Sequence, residues 1–474
     1  MVKKDIPVQL DEWGDPIPPD SGGQETDERE RNFNRSGEDI WEEGIEAVCI
    51  GRGGKRCKTE KRQVRGKALI AIVCLLALAG GVTVYSLFSS PQNGRNGSEK
   101  DKLLSGEIHT EKPTERITVT SKPEATRTET PTPTPRPTEN PEARLNGWYG
   151  TEYRYYYHQL TDSEKQLFVR CYNAILDQKT SVDLTGFSEE AFSRVLYVLL
   201  HDCPELFFFD GHVTIWSLGS SMLTSVDLSY CMDKEERSRR EGIIRGIISS
   251  LKSQTETRSE YEREKAVYRY ILDHCEYLKN EPYTVRADSA LCDGLAQCEG
   301  YAKALSLLLR SLGVADVYVH SDSVNHAWNM VKIQGNWYQC DVTWDDPVAT
   351  SGSSSERPPE EYLRYLNVPD RLMRKHVPIT TEHGFTHPTC SSITDNYIYR
   401  EGIYIASSVV DKKGQVTTQL QDAYDRGKRR FMVMVDDEAA FRNREKLIEN
   451  FAAKYGVRIW PGEETLCFLV ECME

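Results

Sequence analysis

Residues 297–346 read QCEGYAKALSLLLRSLG, then VADVYVHSDSVNHAWNMVKI, then QGNWYQCDVTWDD, and this stretch decides the fold. Ala302, Leu305, Leu308, Leu309 and Leu312 recur at three- and four-residue steps, the spacing of an amphipathic helix with one buried face. Gly313 stops it. Cys298 therefore sits at or just before a helix N-terminus, where unpaired N–H groups and the helix dipole favour thiolate over thiol. A buried structural cysteine fits the position equally well. Val317 and Val319 lie in a strand, and so does the run His326–Ile333. Gln334-Gly335-Asn336 turns the chain, and Trp337–Trp344 is expected to return as the partner strand.

The loop length then decides whether His326 and Asp341 can meet. An even loop puts both on one face of the hairpin, directly opposite for a four-residue loop and diagonal for a two-residue loop at Gln334-Gly335. An odd loop without a bulge separates them. On a common face the roles follow from chemistry. Asp341 holds one imidazole nitrogen, His326 takes the proton from Cys298 and later returns it to the leaving group, and Cys298 attacks an acyl carbon. The Cys298 N–H supplies one oxyanion donor, and the second cannot be read from sequence.

QCEGYA around the cysteine, HAWN around the histidine and the run from Trp337 through Asp341 to Trp344-Asp345 resemble the transglutaminase-like superfamily, most closely its bacterial surface, membrane-anchored members. The resemblance covers 297–346 closely and about 149–404 more loosely. It implies Cys298, His326 and Asp341 as catalytic residues, with no cofactor and no metal. One departure is Ala296-Gln297, where many relatives carry Gly and a small apolar residue. The implied fold is α+β: a papain-like/transglutaminase-like core, with the Cys-bearing helix packed on an antiparallel sheet. A helical lead-in precedes it, and a small C-terminal α/β unit follows.

Outward from the core, 474 residues suggest several domains. A net charge of −14 with no strongly basic folded stretch argues against nucleic acid as a partner. Residues 1–66 are polar, acidic and broken by Pro16, Pro18, Pro19 and Gly22-Gly23, so they are read as a disordered cytoplasmic tail, with a short helical option at Trp41–Val48. Residues 67–89 are read as a transmembrane helix, because Ala68–Phe88 carries no charge and follows a run of Lys and Arg. A signal peptide cleaved at Ala77-Leu78-Ala79 is the competing reading. The expected topology is single-pass in the cell membrane, with the N-terminus cytoplasmic and the catalytic domain extracellular. Residues 90–143 form a Thr/Pro-rich linker.

The lead-in is set at 144–280. Thr161 and Glu164 form a capping box for a helix through Leu176, and Ser188 caps a second ending near Pro204. Val213–Ser217 and Leu223–Tyr230 alternate like strands, and helices follow at about Lys234–Gln254 and Glu260–Cys275. Tyr153, Tyr155, Tyr156 and Tyr157 are read as packing the first helices rather than gripping a ligand. The catalytic core is set at 281–393, with a Ser/Pro-rich loop at Ala349–Pro359 that is either a lid or a surface excursion. His376, His383, His387 and Cys390 fit no closed zinc spacing. Residues 394–474 are the C-terminal unit, with Ile398–Ala406 as a strand or strand pair, Val416–Arg426 and Glu438–Tyr455 as helices, and Phe431–Val435 and Leu466–Val470 as strands. Ten of the thirteen cysteines follow the apolar segment with no recognisable disulfide framework.

The expected activity is acyl transfer or hydrolysis at an amide or peptide carbonyl of a protein or peptide substrate. The alternatives are a non-catalytic surface binding protein that keeps the fold, and a cysteine peptidase or amidase acting on cell-wall peptides.

Overall fold

The computed structural model describes residues 48–50, 141–218, 222–278, 281–346 and 359–473. The expected helix at Trp41–Val48 is outside them except for Val48, which lies in a short strand, β1 (Val48–Ile50). The loop segment 347–358 is outside them too. The spanning helix expected at 67–89 also lies outside the described residues. Among the described residues no helix is long and apolar enough to cross a membrane. Length is not the obstacle, since one described helix has 22 residues, but that helix begins KEERSRRE. The membrane anchor is therefore withdrawn. With it go the single-pass topology, the cytoplasmic N-terminus, the extracellular catalytic domain and the membrane as a partner.

The chain divides into two units, Gln63–Arg239 and the rest, each taken by itself. In the first, α1 (Asp162–Leu176) starts at the expected capping box: Thr161 accepts from the Glu164 N–H, and Glu164 returns to the Thr161 backbone. β2 (Ser181–Asp183) follows, then α2 (Glu189–His201), capped by Ser188. β3 (Phe209–Leu218) and β4 (Met222–Tyr230) pair antiparallel in a sheet ordered β2-β4-β3. Tyr156 and Tyr157 are buried, and Tyr156 meets Tyr197 edge-on, so this part of the tyrosine cluster packs α2.

The second unit takes α3 (Lys234–Thr255) from Arg240 onward, then α4 (Glu260–His274), β5 (Glu276–Tyr277) and β6 (Leu295–Ala296), a short parallel pair. α5 (Cys298–Ser311) comes next, then β7 (Ala315–Ser321), β8 (His326–Ile333) and β9 (Asn336–Cys340), an antiparallel sheet ordered β7-β8-β9. Ile333 pairs with Asn336, so the β8–β9 loop is the two-residue Gln334-Gly335. Both residues have positive φ, 49° and 87°, as a tight turn matched to strand twist requires. The outer edge of β9 is covered: Gln339 and Val368 exchange backbone hydrogen bonds, and Asp341 N–H donates to Tyr365 O. Asn329 of β8 donates to Ala302 O and Ser306 Oγ of α5 and to Asp316 of β7, while Arg310 and Asp316 form a fully buried ion pair.

The return strand is shorter than expected. It ends at Cys340, because the Asp341 carboxylate accepts from the N–H groups of Thr343 and Trp344 and starts a short helix, α6 (Val342–Asp345). Local capping overrides the strand preference of Val-Thr-Trp. The C-terminal region differs similarly at Ile398–Ala406, where Asn396 caps α7 (Tyr397–Glu401) before β10 (Ile403–Ile405). α8 (Lys412–Asp425) and β11 (Arg430–Val435) follow. The single helix expected at Glu438–Tyr455 is two, α9 (Glu438–Arg442) and α10 (Arg444–Tyr455). β12 (Val457–Gly462) was not expected because it contains Pro461. The chain tolerates that proline because β1 pairs only with Val457–Ile459, leaving Pro461 a partner on one side alone. β13 (Cys467–Cys472) completes a sheet ordered β1-β12-β13-β11-β10, parallel only between β10 and β11. The ten cysteines from Cys171 to Cys472 form no disulfide with one another.

Candidate functional site

Cys298 is the first residue of α5, so its N–H belongs to the set with no partner inside the helix. Its side chain is half-buried and packs on Ala302, Tyr318 and Ala327. Gly300, two residues on, lets α5 start against the loop at 284–286. A Cβ there would stand 2.3 Å from Thr284 O and 2.9 Å from Ala296 Cβ. Gln297 is held to the same loop, its N–H on Thr284 O at 3.1 Å and its side-chain amide on Thr284 Oγ1 at 2.9 Å.

His326 opens β8, buried and stacked near Trp328 and Trp344, each ring centre 5.6 Å away. Its Nε2 donates to Asp341 Oδ2 at 2.6 Å. The β8–β9 register puts Trp328, not His326, level with Asp341, so the contact is the diagonal one that a two-residue loop allows. The Cys298 sulfur lies near enough to the His326 ring to raise its pKa. Its Nε2 faces Asp341, so Nδ1 is the ring nitrogen not engaged by the carboxylate. Burial works against the imidazolium, but the Asp341 carboxylate outweighs it, aided by Cys298, and His326 is pushed up to about 9. Asp341 is also buried. Burial alone would raise its carboxyl, yet His326 and a second imidazole hold it well below the usual carboxylate range.

That second imidazole is His376, which sequence reasoning had considered only as a metal ligand. Its Nε2 lies 2.8 Å from the same Asp341 Oδ2, and its Nδ1 lies 3.1 Å from Glu464 Oε1 in the β12–β13 turn. Nothing in the spacing of the chain signals this meeting. The nearest cue was a run of histidines after the core. His383 and His387 do not join it: His383 is near Glu382, and His387 Nδ1 is near Pro388 O. Ligand-type atoms of His326, Asp341 and His376 lie within 4.8 Å of one another, as do those of His320, Asp322 and Glu382. In the first group those atoms already face each other as N–H···O hydrogen bonds, so it is a hydrogen-bond chain.

A cavity of about 650 Å³ lies elsewhere, among Glu401, Asp422, Arg426, Arg430 and Glu471, and none of Cys298, His326 or Asp341 lines it.

Residues 249–342 match the model of the transglutaminase-like superfamily. The chain is 24% identical over 190 residues to kyphoscoliosis peptidase of Mus musculus, and 22% identical over 195 residues to that of Homo sapiens. Each match covers 36% of this chain and 29% of the relative, so the chain spans under a third of the length of those relatives. A solved structure of a TGase is 16% identical, with 28% of this chain and 44% of that one covered, at a TM-score of 0.21. Superfamily similarity and a mixed α/β core are thus supported at low identity. The buried His-Asp-His cluster is consistent with a transglutaminase-like or cysteine-protease-like enzyme family.

Proposed function

We propose that the protein is a thiol acyltransferase or cysteine peptidase with a papain-like core, in which Cys298 is the nucleophile, His326 the acid and base, and Asp341 the group that orients the imidazole. The observation that carries this is the buried His326–Asp341 hydrogen bond at 2.6 Å, with Cys298 at the start of the neighbouring helix and near enough to raise the His326 pKa. Cys298 attacks an amide carbonyl carbon, the S–H proton passes to His326 and on to the departing nitrogen, and the C–N bond breaks to leave a thioester. An amine or water then takes the acyl group and restores the thiol. An amine gives cross-linking, and water gives deamidation or peptide cleavage.

The test supplies a glutamine-containing peptide with and without a primary amine and identifies products by mass spectrometry. Transfer, deamidation or backbone cleavage, abolished by Cys298→Ala and by His326→Ala, supports the proposal. The non-catalytic binding protein is the second reading, favoured if Cys298 reacts with iodoacetamide no faster than a free peptide thiol. The cell-wall amidase reading rested on membrane topology alone and falls with it.

A further inference from the structure

We infer that His376 is a positioning residue, an imidazolium clamped between Asp341 and Glu464 that holds the Asp341 carboxylate in line with His326 and offsets part of its charge. The inference rests on the thiol-enzyme reading and deepens it.

The argument is one of hydrogen-bond supply. Asp341 Oδ2 faces two ring nitrogens, His326 Nε2 at 2.6 Å and His376 Nε2 at 2.8 Å. Its Oδ1 accepts from the Thr343 and Trp344 N–H groups at 2.9 and 3.2 Å. An ionised carboxylate only accepts, so both Nε2 atoms carry protons. Glu464 repeats the logic on the far side. Its Oε1 accepts from the Lys375 N–H and faces His376 Nδ1, and its Oε2 accepts from Tyr365 OH at 3.1 Å. The Lys375 N–H and the Tyr365 hydroxyl donate to its two oxygens, the acceptor-only pattern of an ionised carboxylate. His376 Nδ1 must then donate as well, and a ring that donates from both nitrogens is an imidazolium.

His376 is 1% exposed, and Trp328, Trp344 and Tyr365 surround it with ring centres at 4.9, 4.4 and 5.6 Å. The charged or titratable groups facing it are Asp341, Glu464, His326 and Tyr365, with the Asp345–Arg364 pair behind Tyr365. Consistently, the two carboxylates outweigh burial and push His376 up to about 9.

The consequence concerns proton transfer. A lone buried aspartate would hold the His326 proton too tightly for a group that must also release it. A fixed positive charge on the opposite side of Asp341 weakens that hold. Removing His376 and Glu464 together takes away the nearer positive and the farther negative charge. His326 should then titrate higher.

The experiment uses the full chain with ¹⁵N-labelled histidine. In the wild type at pH 7, both His376 nitrogens should carry protons. In His376→Gln/Glu464→Gln, which leaves no unpaired buried charge, the His326 midpoint should rise by at least about half a pH unit. A neighbouring charge ordinarily shifts a titration by about 1–3 units, the like charge of His376 holds His326 down, and the loss of Glu464 returns part of that shift. A folded double variant with an unmoved midpoint overturns the inference, since filling space alone would leave titration untouched. If circular dichroism shows the variant unfolded, the wild-type spectrum decides: a neutral His376 at pH 7 refutes the inference, and a doubly protonated one upholds it. Sluggish alkylation of wild-type Cys298 would instead defeat the thiol-enzyme reading, while leaving the charge state of His376 as measured.

Discussion

Gly300→Ala should destabilise the protein, although alanine in a helix interior is normally the better residue by about 0.5–1 kcal/mol. The added Cβ would meet Thr284 O at 2.3 Å, Ala296 Cβ at 2.9 Å and Arg286 O at 3.2 Å. The first contact is about 1 Å inside the ~3.3 Å at which carbon and a carbonyl oxygen ordinarily meet. The obstacle is backbone, so no side-chain rotation relieves it. Overpacking of this kind costs about 1–3 kcal/mol, which offsets the propensity gain and leaves a net loss of up to about 2.5 kcal/mol. The displaced carbonyl is also the acceptor for Gln297 N–H, so the start of α5 moves with it and Cys298 loses its alignment on His326. Urea unfolding followed by circular dichroism measures the first effect. The iodoacetamide rate at Cys298, read by peptide mass spectrometry, measures the second. A variant that is more stable than wild type, with unchanged labelling, would refute the claim that close backbone approach fixes the nucleophile's helix.

Arg310→Ala should cost about 3–5 kcal/mol in urea unfolding, since it strands Asp316 as an unpaired buried charge beneath α5. A loss under 1 kcal/mol would contradict that. Burial pushes the Glu264 carboxyl up to about 8, against hydrogen bonds from Asn367 and Cys340 that work the other way. The folded state thus keeps a proton that the unfolded chain loses earlier, and stability falls as pH rises through this range. Glu264→Gln should therefore gain on wild type by up to about 1.4 kcal/mol per pH unit between pH 5 and 8, and parallel stability curves would exclude it. His326 carries the same sign in a higher pH window. Its folded value of about 9 stands above the ordinary 6.5, so its stabilisation is complete below about pH 6.5 and is lost as pH rises through about 9. The stability gap between wild type and His326→Gln should narrow over that window, and a gap constant from pH 6 to 10 would show that the imidazolium does not contribute.

Much of the core was readable because periodicity and turn chemistry agreed there. The leucine spacing marks α5 within a residue at each end, and β8 spans His326–Ile333 as read. The turn at Gln334-Gly335 fixed the parity that lets His326 reach Asp341. Misreadings came where one side chain rewired a local preference. Asp341 and Asn396 each cap a short helix inside sequence that looks like strand. β12 was hidden by Pro461, whose tolerance depends on how far β1 pairs, a fact of topology rather than of composition. His376 and Glu464 were beyond reach for a different reason. Their meeting joins two loops distant along the chain, and no periodicity encodes a loop-to-loop contact.

The Glu464–His376 bond has a consequence for biosynthesis. A ribosome releases the cysteine-bearing helix well before it releases the turn that carries Glu464. Until that turn docks, His376 has no acceptor for its second proton, and the aspartate beside it has no fixed cation. A nascent or truncated chain thus carries its thiol beside an incomplete acid-base relay.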